Sequence, residues 1–156
     1  MARVCVDAGF LIGLFDPSDA HHHSAKDQFE LIFGEDSGRH TLLIPWPTLY
    51  ESLGTRFARD PAKVASLGRT WQYLDKAERL VLLDDAPYRE ESLAAQIEES
   101  RRRLSLVDRV LRAMILEDEP RFEFFLTYNR GDFIDACRGS GILLLDSNLA
   151  PEDYGF

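Results

Sequence analysis

The chain has 156 residues and a formal net charge of −9, with 45% hydrophobic and 29% charged residues. This size and composition predict one globular domain over residues 1–156, and no stretch approaches the roughly 18 apolar residues of a membrane span, so no contact with a membrane is expected. The two cysteines, Cys5 and Cys137, are too few for a disulfide framework or a zinc set, so a reducing, cytoplasmic setting is predicted.

The net negative charge limits the kinds of ligand that the chain is expected to bind. Proteins that bind nucleic acid through many phosphate contacts are usually basic, so the charge counts against wide, sequence-independent binding of this kind. A site that holds a divalent cation must itself be acidic, however, and the bound cation reverses the local field. Composition alone therefore leaves the nature of the partner open.

Apolar runs and helical patterns alternate along the chain. In chain order the predicted elements are a strand at 3–7, a helical turn at 10–15, a helix at 20–33, a strand at 41–45, helices at 48–59 and 62–77, a strand at 80–84, helices at 87–102 and 106–117, a strand at 122–127, a short helix at 132–137 and a strand at 142–145. Strands that alternate with helices indicate crossover connections. We therefore predict an α/β fold with three layers and a five-stranded, mostly parallel sheet.

Five polar residues at one predicted edge of the sheet form the candidate site. Ligands of such sheets bind beyond the carboxyl ends of the strands, where the residues that follow parallel strands converge. Asp7 ends the first strand, and Glu51 is placed in the first turn of the helix after the second. Asn129 and Asp132 follow the fourth strand, and Asp108 opens the crossover helix that precedes it. We expect these side chains to meet in one cleft.

Two interpretations of the acids are open. Mg²⁺ and Mn²⁺ take oxygen ligands from one or two carboxylates together with water and substrate phosphate, and such ions activate water for attack on phosphorus. The segments 48–51 and 105–108 instead match a capping box, in which an acid three residues after a hydroxyl stabilises the start of a helix. Asp7 fits the capping interpretation less well, because Ala8 and Gly9 follow it and no partner within a helix is evident.

Several segments resemble the motifs of PIN domains and occur in the order typical of that family. Residues 6–12 (Val-Asp-Ala-Gly-Phe-Leu-Ile) resemble the opening motif, and residues 16–25 resemble the acidic turn before a helix that carries His and Ala. The second acid, the third acid and the closing motif are matched by residues 47–51, 105–109 and 127–133. The resemblance covers nearly the whole chain and is nearest to the VapC-type toxins of toxin–antitoxin pairs. Ala8 stands where the family often has Ser or Thr, and Asn129 where it often has Asp.

The resemblance implies a sheet in the order 3-2-1-4-5, a divalent cofactor, Mg²⁺ or Mn²⁺, and cleavage of single-stranded RNA. It assigns catalysis and metal binding to four acids, which are Asp7, Glu51, Asp108 and Asp132. It adds Asn129 as a further metal ligand. It also implies a homodimer or a complex with an antitoxin protein, in keeping with the aromatic content of the two helices after the second strand. The alternative is a PIN-like module that binds RNA or protein with a weakened or inactive site.

Three arginines are candidates for binding the RNA backbone. Arg103, Arg109 and Arg112 lie near the Asp108 motif, where they could hold phosphate. A solvated helix face is the other explanation for these residues.

Overall fold

A five-stranded sheet forms the centre of a computed structural model that describes residues 1–37, 39–99 and 101–148. Its strands are β1 (Arg3–Val6), β2 (Thr41–Pro45), β3 (Leu80–Leu83), β4 (Phe124–Leu126) and β5 (Leu143–Leu145). They lie in the order β3-β2-β1-β4-β5, and every neighbouring pair is parallel. The predicted α/β fold, its parallel sheet and the order of its strands are confirmed.

Seven α-helices connect and cover the strands within the described residues. They are α1 (Ala8–Phe15), α2 (His22–Phe33), α3 (Trp46–Leu53), α4 (Pro61–Lys76), α5 (Arg89–Glu98), α6 (Leu106–Ile115) and α7 (Arg130–Ser140). Short 3-10 turns precede α4 and α5, at Arg56–Arg59 and Ala86–Tyr88. None of the helices in this part of the chain is both long and apolar enough to span a bilayer.

Two predicted helices differ most from those observed. The helix expected at 48–59 is two elements, because Gly54 follows α3 and glycine is a poor helix former. The helix α3 also begins earlier than predicted, at Trp46. Pro47 is tolerated there because the first N–H groups of a helix have no acceptor within it, so the missing N–H of proline breaks no hydrogen bond. The helix expected at 87–102 is shorter, because a 3-10 turn occupies its first part and α5 ends at Glu98.

Both faces of the sheet are covered, which gives the three layers. Successive side chains of β1 point to opposite faces, so Val4 and Val6 pack in one core and Cys5 in the other. The first core lies against α1, α2 and α4, and the second against α6 and α7. Burial on both faces explains why the inner strands β1 and β2 have continuous apolar sequences rather than alternating patterns.

The pairing of the strands places three polar residues side by side at the carboxyl edge. Val6, Leu126 and Leu145 are paired across β1, β4 and β5. The residues that follow them are all buried, and these are Asp7, Thr127 and Asp146. Hydrogen bonds continue one residue past the strands, from the N–H of Asp7 to the carbonyl of Leu126 and from that of Thr127 to Leu145. The sheet itself therefore fixes the base of the candidate site.

Candidate active site

Asp7 is the buried centre of the candidate site, with only 6% of the residue exposed. It is the N-cap of α1, where its Oδ1 accepts a hydrogen bond of 3.2 Å from the N–H of Phe10. Its Oδ2 accepts a hydrogen bond of 2.5 Å from the hydroxyl of Thr127. The expectation that Asp7 has no partner within a helix was wrong, because α1 begins at Ala8 and its first N–H groups require an acceptor.

Two further carboxylates act on Asp7. Burial raises the pKa of Asp7 to about 6, against the opposing effect of its two hydrogen bonds. The negative charges of Glu51 and Asp108 raise this pKa further. Burial also raises the pKa of Glu51, and the charge of Asp108 adds to that rise. The structure thus brings three of the five predicted residues close enough to repel one another.

Glu51 lies in the second turn of α3 rather than in its first. Thr48, the predicted capping partner, donates its hydroxyl to the carbonyl of Val6 at 3.2 Å instead. The predicted capping box at 48–51 was therefore wrong, because α3 begins directly after β2 and carries Glu51 one turn further along. Glu51 is exposed to solvent, and its carboxylate does not cap the start of a helix.

Asp108 combines both roles that the sequence left open. The hydroxyl of Ser105 accepts a hydrogen bond from the N–H of Asp108, and the Oδ2 of Asp108 accepts one from the N–H of Ser105, each at 3.1 Å. The capping box predicted at 105–108 is confirmed. It occupies Oδ2 alone, since no described residue donates a hydrogen bond to Oδ1. The cap therefore fixes this carboxylate at the start of α6 while one oxygen stays available.

Asn129 and Asp132 lie at the start of α7. Asn129 is exposed, and its N–H donates to the hydroxyl oxygen of Thr127 at 3.0 Å, so a chain of hydrogen bonds connects it to Asp7. Asp132 lies in the first turn of the helix. Hydrogen bonding to Asp135 raises the pKa of Arg102, and the charge of Asp132 adds a small contribution. The charges that raise the pKa of Asp7, after the effect of burial, are those of Glu51 and Asp108.

The predicted RNA-binding role of Arg109 does not fit its surroundings. Its side chain is 6% exposed, and each of its three nitrogens already donates a hydrogen bond. The acceptors are Gln96 at 2.7 Å and the carboxylate and carbonyl of Glu99 at 2.9 and 3.0 Å. Arg109 thus fastens α6 to the end of α5. Arg103 is exposed, and no described residue pairs with it.

Arg112 is also occupied, in what we call the arginine clamp, formed by Arg102, Arg112 and Asp135. Arg112 donates to both carboxylate oxygens of Asp135, at 2.7 and 2.9 Å, and to the carbonyl of Asp132 at 2.7 Å. Arg102 donates to the same two oxygens of Asp135, at 3.0 and 3.2 Å. The clamp joins α6 to the first turns of α7, and the contact of Arg112 with RNA stays a prediction.

The donor chemistry of the acids fits a hard divalent cation, since Mg²⁺ and Mn²⁺ prefer oxygen ligands. Within residues 1–37, 39–99 and 101–148, no three His, Cys, Asp or Glu side chains lie close enough to hold one ion together. Mg²⁺ is usually bound by one or two carboxylates and keeps several waters, so a direct set of three is not required. Burial is the main cause of the raised pKa values of Asp7 and Glu51, and a cation would also relieve the repulsion that adds to the rise.

Two functional candidates at this edge were not predicted. Thr127 lies in the segment that resembles the closing motif, and its hydroxyl directly after β4 was the available signal. Asp146 follows β5 as Asp7 follows β1, so the same argument from strand ends would have found it. Its Oδ2 contacts the Nη1 of Arg130 at 3.2 Å.

Known proteins resemble this chain in structure but not in sequence. The sequence matches no family model and no curated protein. The structure is similar to VapC20 of Mycobacterium tuberculosis, a toxin that cleaves the Sarcin-Ricin loop, with a TM-score of 0.62 and 15% identity over 85% of this chain and 94% of that one.

Two further structures are DNA-bound complexes. One is VapBC2 of Rickettsia felis, with a TM-score of 0.53 and 16% identity over 92% of this chain and 98% of that one. The other is VapBC of Salmonella typhimurium, with a TM-score of 0.52 and 16% identity over 94% of this chain and 99% of that one. These likenesses confirm the PIN-type fold that the motifs implied.

Proposed function

We propose that this chain is a cytoplasmic endoribonuclease that depends on Mg²⁺ or Mn²⁺ and cleaves single-stranded RNA. The observation that carries the proposal is the group of acids Asp7, Glu51 and Asp108, which come from three elements and repel one another. No Lys or Arg among the described residues forms an ion pair with any of them. Buried or crowded carboxylates without an internal counter-charge are costly, and they are suited to an external cation.

Each residue of the site has its own task in this proposal. Asp7 is held by the N–H of Phe10 and the hydroxyl of Thr127, so it would be the rigid ligand at the base. Glu51 and Asp108 would hold the ion from α3 and α6, directly or through water, and Asn129 and Asp132 would complete the set from α7. A bound Mg²⁺ or Mn²⁺ would supply a Lewis acid for the attack of water on a phosphodiester bond.

The choice of RNA as substrate is supported by the structural neighbours. VapC20 is a toxin that cleaves the Sarcin-Ricin loop, and this chain shares its fold and presents acids at the carboxyl edge of the sheet. The other two neighbours are complexes of VapB and VapC. We extend this arrangement to the present chain and propose that it is the toxin of a toxin–antitoxin pair.

A cleft beside Glu51 supports the proposal of a protein partner. Its volume is about 620 Å³, and it lies between α3, α5 and α6. Three of its apolar residues are exposed, namely Tyr50 at 74%, Leu93 at 49% and Leu106 at 43%. Exposed apolar surface of this kind is typical of protein interaction sites. We propose that an antitoxin or a second copy of the chain covers it.

The alternative function is a PIN-like module that binds RNA or protein without cutting. Ala8 and Asn129 favour it, because the first removes a hydroxyl and the second a charge that the family often has at these positions. The two functions differ in their response to metal, since only the nuclease requires a cation bound by the acids.

Thermal melting with Mn²⁺, run beside an RNA cleavage assay, tests the proposal. We expect Mn²⁺ to raise the melting temperature of the wild type and to support cleavage of a single-stranded RNA that EDTA prevents. The stabilisation should approach about 2.7 kcal/mol when Mn²⁺ is in hundredfold excess over its dissociation constant. Asp7→Asn and Asp108→Asn should lose this response. An equal response in wild type and variants, or none in the wild type, would exclude the metal site and the nuclease with it.

A further inference from the structure

An acidic protein that binds RNA would use cationic side chains as well as metal. Most arginines near the carboxyl edge of the sheet already form hydrogen bonds within the protein. The net charge is −9, so few cations are available to begin with. Arg102 and Arg112 share the carboxylate of Asp135, and each also donates to the carbonyl of Asp132. Arg109 is enclosed against α5. These side chains hold helices together and have little capacity for a ligand.

Arg130 uses its guanidinium differently. It is the first residue of α7, directly after Asn129, and its side chain is 45% exposed. Within the described residues its only hydrogen bond or ion pair is the 3.2 Å contact of Nη1 with the Oδ2 of Asp146. A guanidinium carries five N–H donors, so most of those of Arg130 remain free for a ligand.

Asp146 orients this guanidinium without covering it. The side chain of Asp146 is 5% exposed, and its Oδ1 accepts a hydrogen bond of 2.9 Å from the N–H of Asn148. Its carbonyl accepts one from Gln28 at 3.1 Å, so the residue is fixed on several sides. Arg103, by contrast, is exposed without a described partner and would lose conformational freedom on binding. Unlike Arg103, Arg130 is already held in place by an ion pair.

The sheet places this pair beside the acid site. Asp7 and Asp146 follow β1 and β5, which are separated by β4 alone, and their strands are in register. Neighbouring strands lie about 4.8 Å apart, so the two residues are separated by roughly 10 Å. We propose that Arg130 binds a backbone phosphate next to the one that is cut, with Asp146 as its positioning residue. The proposal rests on the proposed function and names a contact with its substrate.

Binding of a fluorescein-labelled single-stranded oligouridylate, followed by fluorescence anisotropy over a series of salt concentrations, tests this contact. EDTA, or Ca²⁺ in a second series, is present throughout so that binding is measured apart from cleavage. Arg130→Gln should weaken binding roughly tenfold, as for the loss of a hydrogen bond to a charged group. It should also reduce the slope of log K against log salt by about 0.7, the value for one phosphate contact on a single strand.

Two variants serve as controls. Arg138→Gln removes the same charge from the exposed end of the same helix and should behave as wild type. Arg130→Lys keeps the charge and the pairing with Asp146, so it should retain the slope of the wild type. Circular dichroism of each variant verifies that the fold is intact. If Arg130→Gln and Arg138→Gln give the same affinity and slope, or if the wild type does not bind the oligonucleotide in either series, the inference is overturned.

The role of Asp146 is tested by its coupling to Arg130. Asp146→Asn should change the affinity in the wild-type background and have no effect in Arg130→Gln. An equal effect in both backgrounds would show that Asp146 does not act through Arg130. The outcome is separable from that of the proposed function, because a protein that binds through Arg130 without cutting would contradict only the nuclease. A protein that cuts RNA with no contribution from Arg130 would contradict only this inference.

Discussion

The acid site and the arginine clamp each contain an aspartate, but the charges around the two aspartates have opposite signs. In the acid site, burial raises the pKa of Asp7 to about 6, and the negative charges of Glu51 and Asp108 raise it further. In the clamp, hydrogen bonds from Arg112 and then Arg102 hold the pKa of Asp135 far below its usual range. Asp135 therefore has arginine partners within the fold, whereas no described Lys or Arg forms an ion pair with Asp7, which we propose binds an external cation.

The charges of the two regions are expected to have opposite effects on stability. The charges of the acid site oppose folding in the absence of metal, because ionised carboxylates are held together and partly out of water. Those of the clamp favour folding, because opposite charges meet at 2.7–3.2 Å. The same substitution, Asp to Asn, should therefore have different consequences in the two regions.

The largest expected effect is on cleavage. Asp7→Asn and Asp108→Asn should lower the initial rate of Mn²⁺-dependent RNA cleavage by at least about a hundredfold, since each removes a charge that would hold the ion. Asp135→Asn, the matched substitution in the clamp, should leave the rate within severalfold of the wild type. Equal losses in all three variants would erase the distinction between the two regions.

Ser105→Ala is the control for the capping role of Asp108. It removes the hydroxyl that accepts the N–H of Asp108 and should lower the free energy of unfolding by about 1 kcal/mol. Cleavage should persist, because the carboxylate of Asp108 remains. A loss of cleavage as large as that of Asp108→Asn would mean that the carboxylate acts mainly through the helix start.

The second expected effect is on the stability of the metal-free protein as pH rises. The pKa of Asp7 is raised from 3.8 to about 6 on folding, so the folded state binds more protons than the unfolded state between these values. The free energy of unfolding should therefore fall as pH rises through this range, by about 3 kcal/mol in total. Asp7→Asn should lack this contribution. Urea unfolding in EDTA at pH 4 and pH 7 measures it, and an identical pH dependence in wild type and variant would contradict it.

The fold was largely predictable because its main signals are local. Five continuous apolar runs separated by helical patterns suffice for a parallel sheet with both faces covered. The element boundaries were less predictable where distant atoms decide them. The helix α1 begins at Ala8 because Asp7 caps it, and that carboxylate is in turn held by Thr127, a residue 120 positions along the chain.

The site was predictable to the extent that it follows from strand ends. Asp7, Glu51 and Asp108 were predicted from their positions relative to the strands, and in the structure the charges of Glu51 and Asp108 raise the pKa of Asp7 beyond the effect of burial. The roles of Arg109 and Arg112 could not be found in this way, because their partners depend on how α5, α6 and α7 pack. Whether a long side chain is exposed or paired depends on how the layers pack, so it can be determined only from the structure.

The smallest expected effect is on the clamp, and its pH dependence has the opposite sign to that of Asp7. The pKa of Asp135 is lowered on folding, so its ion pairs contribute stability above the unfolded value of 3.8 and lose it as pH falls below that value. Because its side chain is 50% exposed, solvent screens the pairs, and Asp135→Asn should cost no more than about 1 kcal/mol at pH 7. The difference from wild type should shrink in 1 M salt and below about pH 4. Asp118→Asn, an exposed substitution with no described ion pair, is the control, and an equal result for the two variants would show that the clamp contributes nothing to folding.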